Sequence, residues 1–286
     1  MSGGQRTPQP AGPRRAGSWH SAVSTFTILP GRRPTEIGPA TARLLLLWLP
    51  AIGVMLGGVA AAASVLVELG GDSAARRLLA ALIAIALLAV LTGGLHLDGL
   101  ADAADGLASR QPRQQALEIM RKSDVGPMGV AALLLVVGVQ VTALASLPSG
   151  WQDEAALVLA VITGRVAVVR ASGQPAARQD GLGALVAGST TRRDRSAVTA
   201  LLVVAVGVTA ALAAITGTVG GPGQNAAAAG SLLAARGLAA VLVGLLAAAW
   251  LRRAAKRRLG GMTGDVFGAI LEVSAATVLV VCVLLS

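Results

Sequence analysis

Apolar residues gather along the chain in seven blocks separated by short polar stretches. The blocks run over about 43–67, 77–96, 127–148, 153–171, 196–217, 231–250 and 266–285. Each holds roughly 20 residues, the length at which an α-helix crosses the hydrocarbon core of a bilayer. Backbone polar groups inside hydrocarbon must be satisfied within the segment, so blocks of this kind predict helices rather than strands. The expected fold is an all-α, polytopic integral membrane helical bundle of about seven transmembrane helices with cytoplasmic catalytic loops. Residues 1–17, rich in Gly, Pro and Arg and lacking an apolar run, read as a disordered cytoplasmic tail; 18–286 read as one membrane-embedded domain.

Composition agrees with this pattern. With 54% hydrophobic and 13% charged residues, the chain is not an ordinary soluble domain. A formal charge of +10 would suit nucleic acid, but only 2% of residues are aromatic and the basic ones lie between the blocks. No nucleic-acid partner is expected. Topology accounts for the charge instead. If the N-terminus is cytoplasmic, alternation across seven spans puts 21 of the 24 Lys and Arg on the cytoplasmic side. Arg76 and Arg77 fall outside, and Arg236 lies within a span. Trp151 and Trp250 sit at expected interfaces. The lone cysteine, Cys282, excludes an intrachain disulfide and reads as a small apolar packer.

The candidate chemistry is GGLHLDGLADAADGL (93–107), placed directly after the second block. Asp98, Asp102 and Asp105 are spaced i, i+4, i+7. At about 100° per residue they share one helix face within roughly 60°. Three ionised carboxylates on one face repel and call for a cation. An all-oxygen donor set favours Mg²⁺ or Mn²⁺ over zinc, and Mg²⁺ characteristically completes its shell with water and substrate phosphates. The inference is a Mg²⁺ site for a phosphorylated substrate at the membrane surface; the competing reading is a solvated acidic loop. Gly93, Gly94, Gly99 and Gly106 around the acidic turns favour close approach by backbone or ligand. His96 has two readings, a base or leaving-group partner and a hydrogen-bonded packer.

Beyond this stretch, Pro112 is suited to start a short helix. Ala116, Leu117, Ile119 and Met120 make an apolar stripe along it, the mark of an interfacial helix covering the site. Arg113, Arg121 and Lys122 lie outside the stripe, suited to diphosphate or to anionic lipid, with lipid favoured for Arg113. Asp124 is either a fourth ligand or a turn residue. Arg165 lies inside the fourth block, where an arginine is costly unless it pairs with an aspartate or a substrate phosphate.

These runs, with LEIMRKSDVGPMG (117–129), closely resemble the signature of the cobalamin synthase family. AVSTFTILP (22–30), ARQDGLG (177–183) and LGGMTGDVFGAILEVS (259–274) are similar to further parts of that family, so the likeness extends from about residue 20 to the C-terminus. The turn ILPGRRP departs from it with two arginines. The resemblance implies a Mg²⁺-dependent reaction of adenosylcobinamide-GDP with α-ribazole or its 5′-phosphate. A ribazole hydroxyl attacks the cobinamide-linked phosphorus and GMP leaves, in a bacterial cytoplasmic membrane. On that likeness Asp98, Asp102 and Asp105 would hold the metal or accept the hydroxyl proton. Arg121, Lys122 and Arg165 would balance developing charge, with His96 and Asp124 beside them. Gly181 and Gly183 would contribute to binding, as would Gly261, Thr263, Gly264 and Asp265. A homo-oligomer is left open.

Two rivals stand against this reading. A CDP-alcohol phosphotransferase also sets aspartates at a helix end, but its pattern requires Ala-Arg after the first Asp-Gly pair and later aspartates that are missing here. An ion-coupled transporter would place acids at the midplane of interrupted repeats rather than at one helix end. Walker A and HExxH motifs are both absent.

Overall fold

The computed structural model describes residues 15–31, 34, 37–148, 151–216 and 225–286. The segment expected as a tail lies outside them up to residue 14, as do Arg32 and Arg33 of the divergent turn. The described chain is helical throughout and carries no strand, only an isolated bridge between Ala176 and Met262. The helices are α1 (Arg15–Phe26), α2 (Pro39–Leu47), α3 (Leu49–Glu68), α4 (Ala74–Leu91), α5 (Leu95–Ala108) and α6 (Arg113–Ile119). They continue as α7 (Pro127–Ser146), α8 (Trp151–Ala171), α9 (Gly181–Val186), α10 (Arg192–Ile215), α11 (Ala226–Leu259) and α12 (Gly264–Leu285).

Six helical segments among the described residues are long and apolar enough to cross a membrane: the continuous α2–α3, α4, α7, α10, α11 and α12. The seventh expected span corresponds to α8, which has the length but carries Glu154, Arg165 and Arg170. Its position makes it the bundle's centre. It packs against α3, α11 and α12, with Leu157, Val166 and Val169 fully buried. Charges that would be costly against lipid are sheltered there by protein. Outward faces are apolar, with Leu66, Leu134, Leu135 and Leu201 more than three-fifths exposed, as a lipid-facing surface requires.

Local signals explain the breaks. Pro39 and Pro127 start α2 and α7 within their first turns, where proline's missing N–H costs nothing. Thr191 and Asp194 form a reciprocal capping box on α10, and Thr263 caps α12. At the junction of α4 and α5, Gly93 and Gly94 take φ of 61° and 71°, a left-handed pair that turns the chain sharply before the acidic stretch. Thirty-four residues of α11 reach about 50 Å, well beyond a hydrocarbon core of about 30 Å. Its basic last turns therefore project on the side where α5, α6 and α9 gather. Trp250, 64% exposed, sits just before them; the side chain of Trp151 lies outside the described residues.

Candidate active site

Short helices, loops and the ends of the long helices meet at one end of the bundle and enclose a cleft of about 230 Å³. Asp98, Arg178, Asp180, Thr263 and Asp265 supply its polar wall, while Phe26, Leu46 and Phe267 supply an apolar one. Close packing of α5 on α12 creates this convergence. A Cβ built on Gly99 would stand 2.9 Å from Asp265 Cα, so only glycine lets the two acidic helix ends touch. The Gly-rich loop closes the other side, with the buried Gly183 against the backbone of Thr263 and Gly264. Gly261 lies outside the cleft lining, buried against Pro175 and Ala176 where the same loop bridges to Met262.

The three aspartates of the acidic motif do not act alike. Asp98 is exposed in the cleft, and Asp102 is half-buried about one turn on. Asp105 turns to the start of α7, accepting Gly126 N–H at 2.7 Å and Gly129 N–H at 2.8 Å. A helix start leaves such donors without partners, and a carboxylate there also complements the dipole. Asp105 is thus a cap for α7, and the expected three-aspartate cluster becomes two. Asp265 replaces it: Asp102 feels the negative charge of Asp98, Asp265 and Asp105. Partial burial first, then these neighbours, push Asp102 up to about 6, with Arg178 opposing. Among the described residues, no three His, Cys, Asp or Glu side chains stand close enough to form a ready-made metal cage.

Arg178 is the cation of the cleft. Its Nη2 donates to Asp265 Oδ2 at 3.2 Å, while its buried Nε has no hydrogen-bond partner among the described residues. Arg178 thus brings positive charge into an otherwise acidic cleft. Arg121 reaches the rim indirectly, donating to both Asp180 oxygens at 2.6 Å. Arg113 contacts protein where lipid was expected: its Nη2 donates to Ala177 O at 3.0 Å and tethers α6 to the Gly-rich loop. Lys122 and Asp124 are exposed in the turn before α7 and do not line the cleft.

His96 and Arg165 lie deeper. His96 is buried, bordering both the cleft and a small inner cavity that it shares with Arg165, Gln140 and Glu272. Arg165 is 3% exposed, donates to Val161 O at 2.9 Å and is attracted by Glu272, which accepts from Gln140 Nε2 at 2.8 Å. Its compensating acid is therefore a glutamate of α12 inside the bundle, whereas an aspartate or a phosphate was expected. Arg178 and Asp180 of the cleft and Glu272 of the inner cavity are not among the candidates that the sequence singles out. The signal for the first two was a charged pair inside the Gly-rich loop, and for Glu272 a single acid within an apolar run.

A multi-pass helical membrane protein with an acidic, arginine-flanked cleft at one bundle end is the class that this arrangement defines. The family described as cobalamin-5-phosphate synthase matches residues 18–283. Proteins named adenosylcobinamide-GDP ribazoletransferase are similar along most of their length. The one from Frankia casuarinae is 39% identical over 268 residues, 91% of this chain and 92% of its own. That of Citrobacter koseri is 39% identical over 225 residues, 78% and 81% of the two chains, and that of a Nocardioides species 36% over 265 residues, 92% and 96%. No solved structure matches the chain significantly. The chain belongs to the cobalamin-5-phosphate synthase family.

Proposed function

We propose that the cleft is the active site of an adenosylcobinamide-GDP ribazoletransferase. The observation that carries this is the gathering of Asp98, Asp265 and Arg178 in one cleft of a chain that matches the family from residue 18 to 283. The protein joins adenosylcobinamide-GDP to α-ribazole or its 5′-phosphate. A ribazole hydroxyl oxygen bonds to the cobinamide-linked phosphorus, the bond from that phosphorus to the bridging oxygen breaks, and GMP departs with that oxygen. The hydroxyl proton passes to the carboxylate cluster.

Asp98 and Asp102 are the residues that would hold Mg²⁺. An open site with one or two protein carboxylates, completed by substrate oxygens, is that ion's habit, and the negative charge gathered around Asp102 suits a divalent cation. Bound there, Mg²⁺ would neutralise charge on the diphosphate. Arg178 would balance charge on the diphosphate from the cleft wall, and Arg121 would hold Asp180 and the loop in register. The apolar wall from Phe26 to Phe267 faces the less polar part of the substrate. Sidedness follows the charge distribution: the cleft end carries most of the Lys and Arg, so it would face the cytoplasm of a bacterial cell.

Product analysis tests the reading. Purified protein in detergent, given adenosylcobinamide-GDP, α-ribazole and Mg²⁺, should release GMP. Chelation should stop release and added Mg²⁺ should restore it. Absence of GMP from well-folded, Mg²⁺-supplied protein overturns the activity; turnover undiminished by chelation overturns the metal assignment alone.

A further inference from the structure

Away from the cleft, a second charge cluster sits where α8, α10 and α11 meet. Arg170 and Arg252 line a shallow pocket whose floor is Ala167, Ala171, Leu245 and Ala248. Arg252 experiences the like charges of Arg253, Arg170 and Arg195. Arg170, Arg195 and Arg252 are half-buried, Arg253 exposed. None of the four has an ion-pair partner among the described residues. Asp194, the acid next in sequence, is committed to Arg43, which donates to both its oxygens at 2.6 and 2.8 Å. Several half-buried guanidinium groups held together without a counter-charge form an anion site.

Position selects the anion. The pocket floor is apolar and runs down α8 and α11 into the membrane-crossing part of the bundle. Trp250, at the level of an interface, lies two residues before Arg252. A free phosphate would use the arginines and leave the floor bare; a phospholipid uses both, its headgroup phosphate on the arginines and its acyl chain along Leu245 and Ala249. We propose that Arg170 and Arg252, with Arg195 and Arg253 adding to the positive field, bind the headgroup of an anionic phospholipid.

The site adjoins a device that matters to the cleft. Residues 172–190 form a loop closed at its neck, where the Ser172 and Thr190 hydroxyls are hydrogen-bonded at 2.8 Å and Gly188 N–H donates to Ser172 O at 2.6 Å. Arg195 sits at this neck, packed on Gly173 and donating to Thr190 O at 2.7 Å. Arg178, Asp180 and the Gly-rich wall are carried by the loop. Arg170 lies two residues before Ser172, so a headgroup bound there sits at the base of the loop that carries the cleft wall.

Lipid retention is measured by native mass spectrometry after equilibration in phosphatidylcholine nanodiscs with and without phosphatidylglycerol, a readout independent of turnover. The wild-type chain should retain phosphatidylglycerol in preference to phosphatidylcholine. Arg170→Gln with Arg252→Gln should weaken that preference about fivefold per arginine removed. Lys256→Gln with Arg257→Gln, exposed positions off the pocket, should leave it nearly intact. Arg170→Lys with Arg252→Lys preserves charge and separates loss of the site from loss of fold. Equal retention of the two lipids, equal loss in both Gln variants, or displacement of the lipid by millimolar inorganic phosphate would each overturn the proposal.

Discussion

Asp102 and Asp105 lie on one face of α5, three residues apart, yet their surroundings give them opposite tasks. Asp105 is matched by two backbone N–H groups, whereas Asp102 is surrounded by acids. Removing the first should cost stability and removing the second should add it. For Asp102 the sign follows from the shift. Its folded pKa of about 6 exceeds the ordinary 3.8, so the metal-free fold is favoured below about pH 4 and loses that contribution as pH rises through 6. Because the group is largely solvated, the loss is on the order of 1 kcal/mol. Asp102→Asn should therefore raise the thermal midpoint of metal-free protein at pH 7 by a few degrees while abolishing GMP release. Asp105→Ala should lower the midpoint, costing about 1–2 kcal/mol. Scanning fluorimetry with a turnover assay separates them; an unchanged or lowered midpoint for Asp102→Asn would refute the cost assigned to holding this carboxylate part-buried among other acids.

At the scale of elements, the long apolar blocks were legible because a bilayer admits few alternatives, and α3, α7, α10 and α12 follow them closely; α4 instead stops at Leu91 before the Gly93-Gly94 turn, and α11 runs nine residues beyond its block into the basic turns. The functional consequence of α8 was harder to read. Arg165 is tolerated there because it shares a buried cavity with Glu272 of α12, whose opposite charge it feels, a proximity that sequence distance conceals. The same limit applied to the acidic motif. Helical spacing put Asp98, Asp102 and Asp105 on one face, but could not reveal that the start of α7 packs there and takes Asp105. Glycine was the informative signal. Gly99 predicted close approach, and the partner is the Asp265 backbone. Gly99→Ala should force α5 from α12, costing about 1–3 kcal/mol and slowing GMP release by roughly 10- to 100-fold through misplacement of Asp98 relative to Asp265. Gly58→Ala on α3, where an added Cβ meets nothing within 4 Å, should leave turnover unchanged. Equal effects of the two substitutions would show that the crossing does not set the site.

For the whole molecule, one asymmetry organises everything: chemistry and most positive charge share an end, while at the far end Arg76 and Arg77 are outnumbered by Glu68, Asp72, Asp153 and Glu154. Arg43 bound to Asp194, Arg113 to Ala177 O, Arg121 to Asp180 and Arg178 to Asp265 all cross-brace that single end. The basic residues tie the loops of that end together, and on the proposed orientation they would also retain it in the cytoplasm. Sidedness is consequently testable with cysteine labelling, after Cys282→Ala removes the native thiol. Ser123→Cys lies in the exposed turn before α7, and Leu69→Cys in the exposed turn between α3 and α4. A membrane-impermeant maleimide applied to spheroplasts should modify Leu69→Cys at once and Ser123→Cys only after permeabilisation. Reversal of that order would put the cleft on the outer face, away from the cytoplasmic pool of nucleotide-activated substrate, and the proposed reaction could not proceed there.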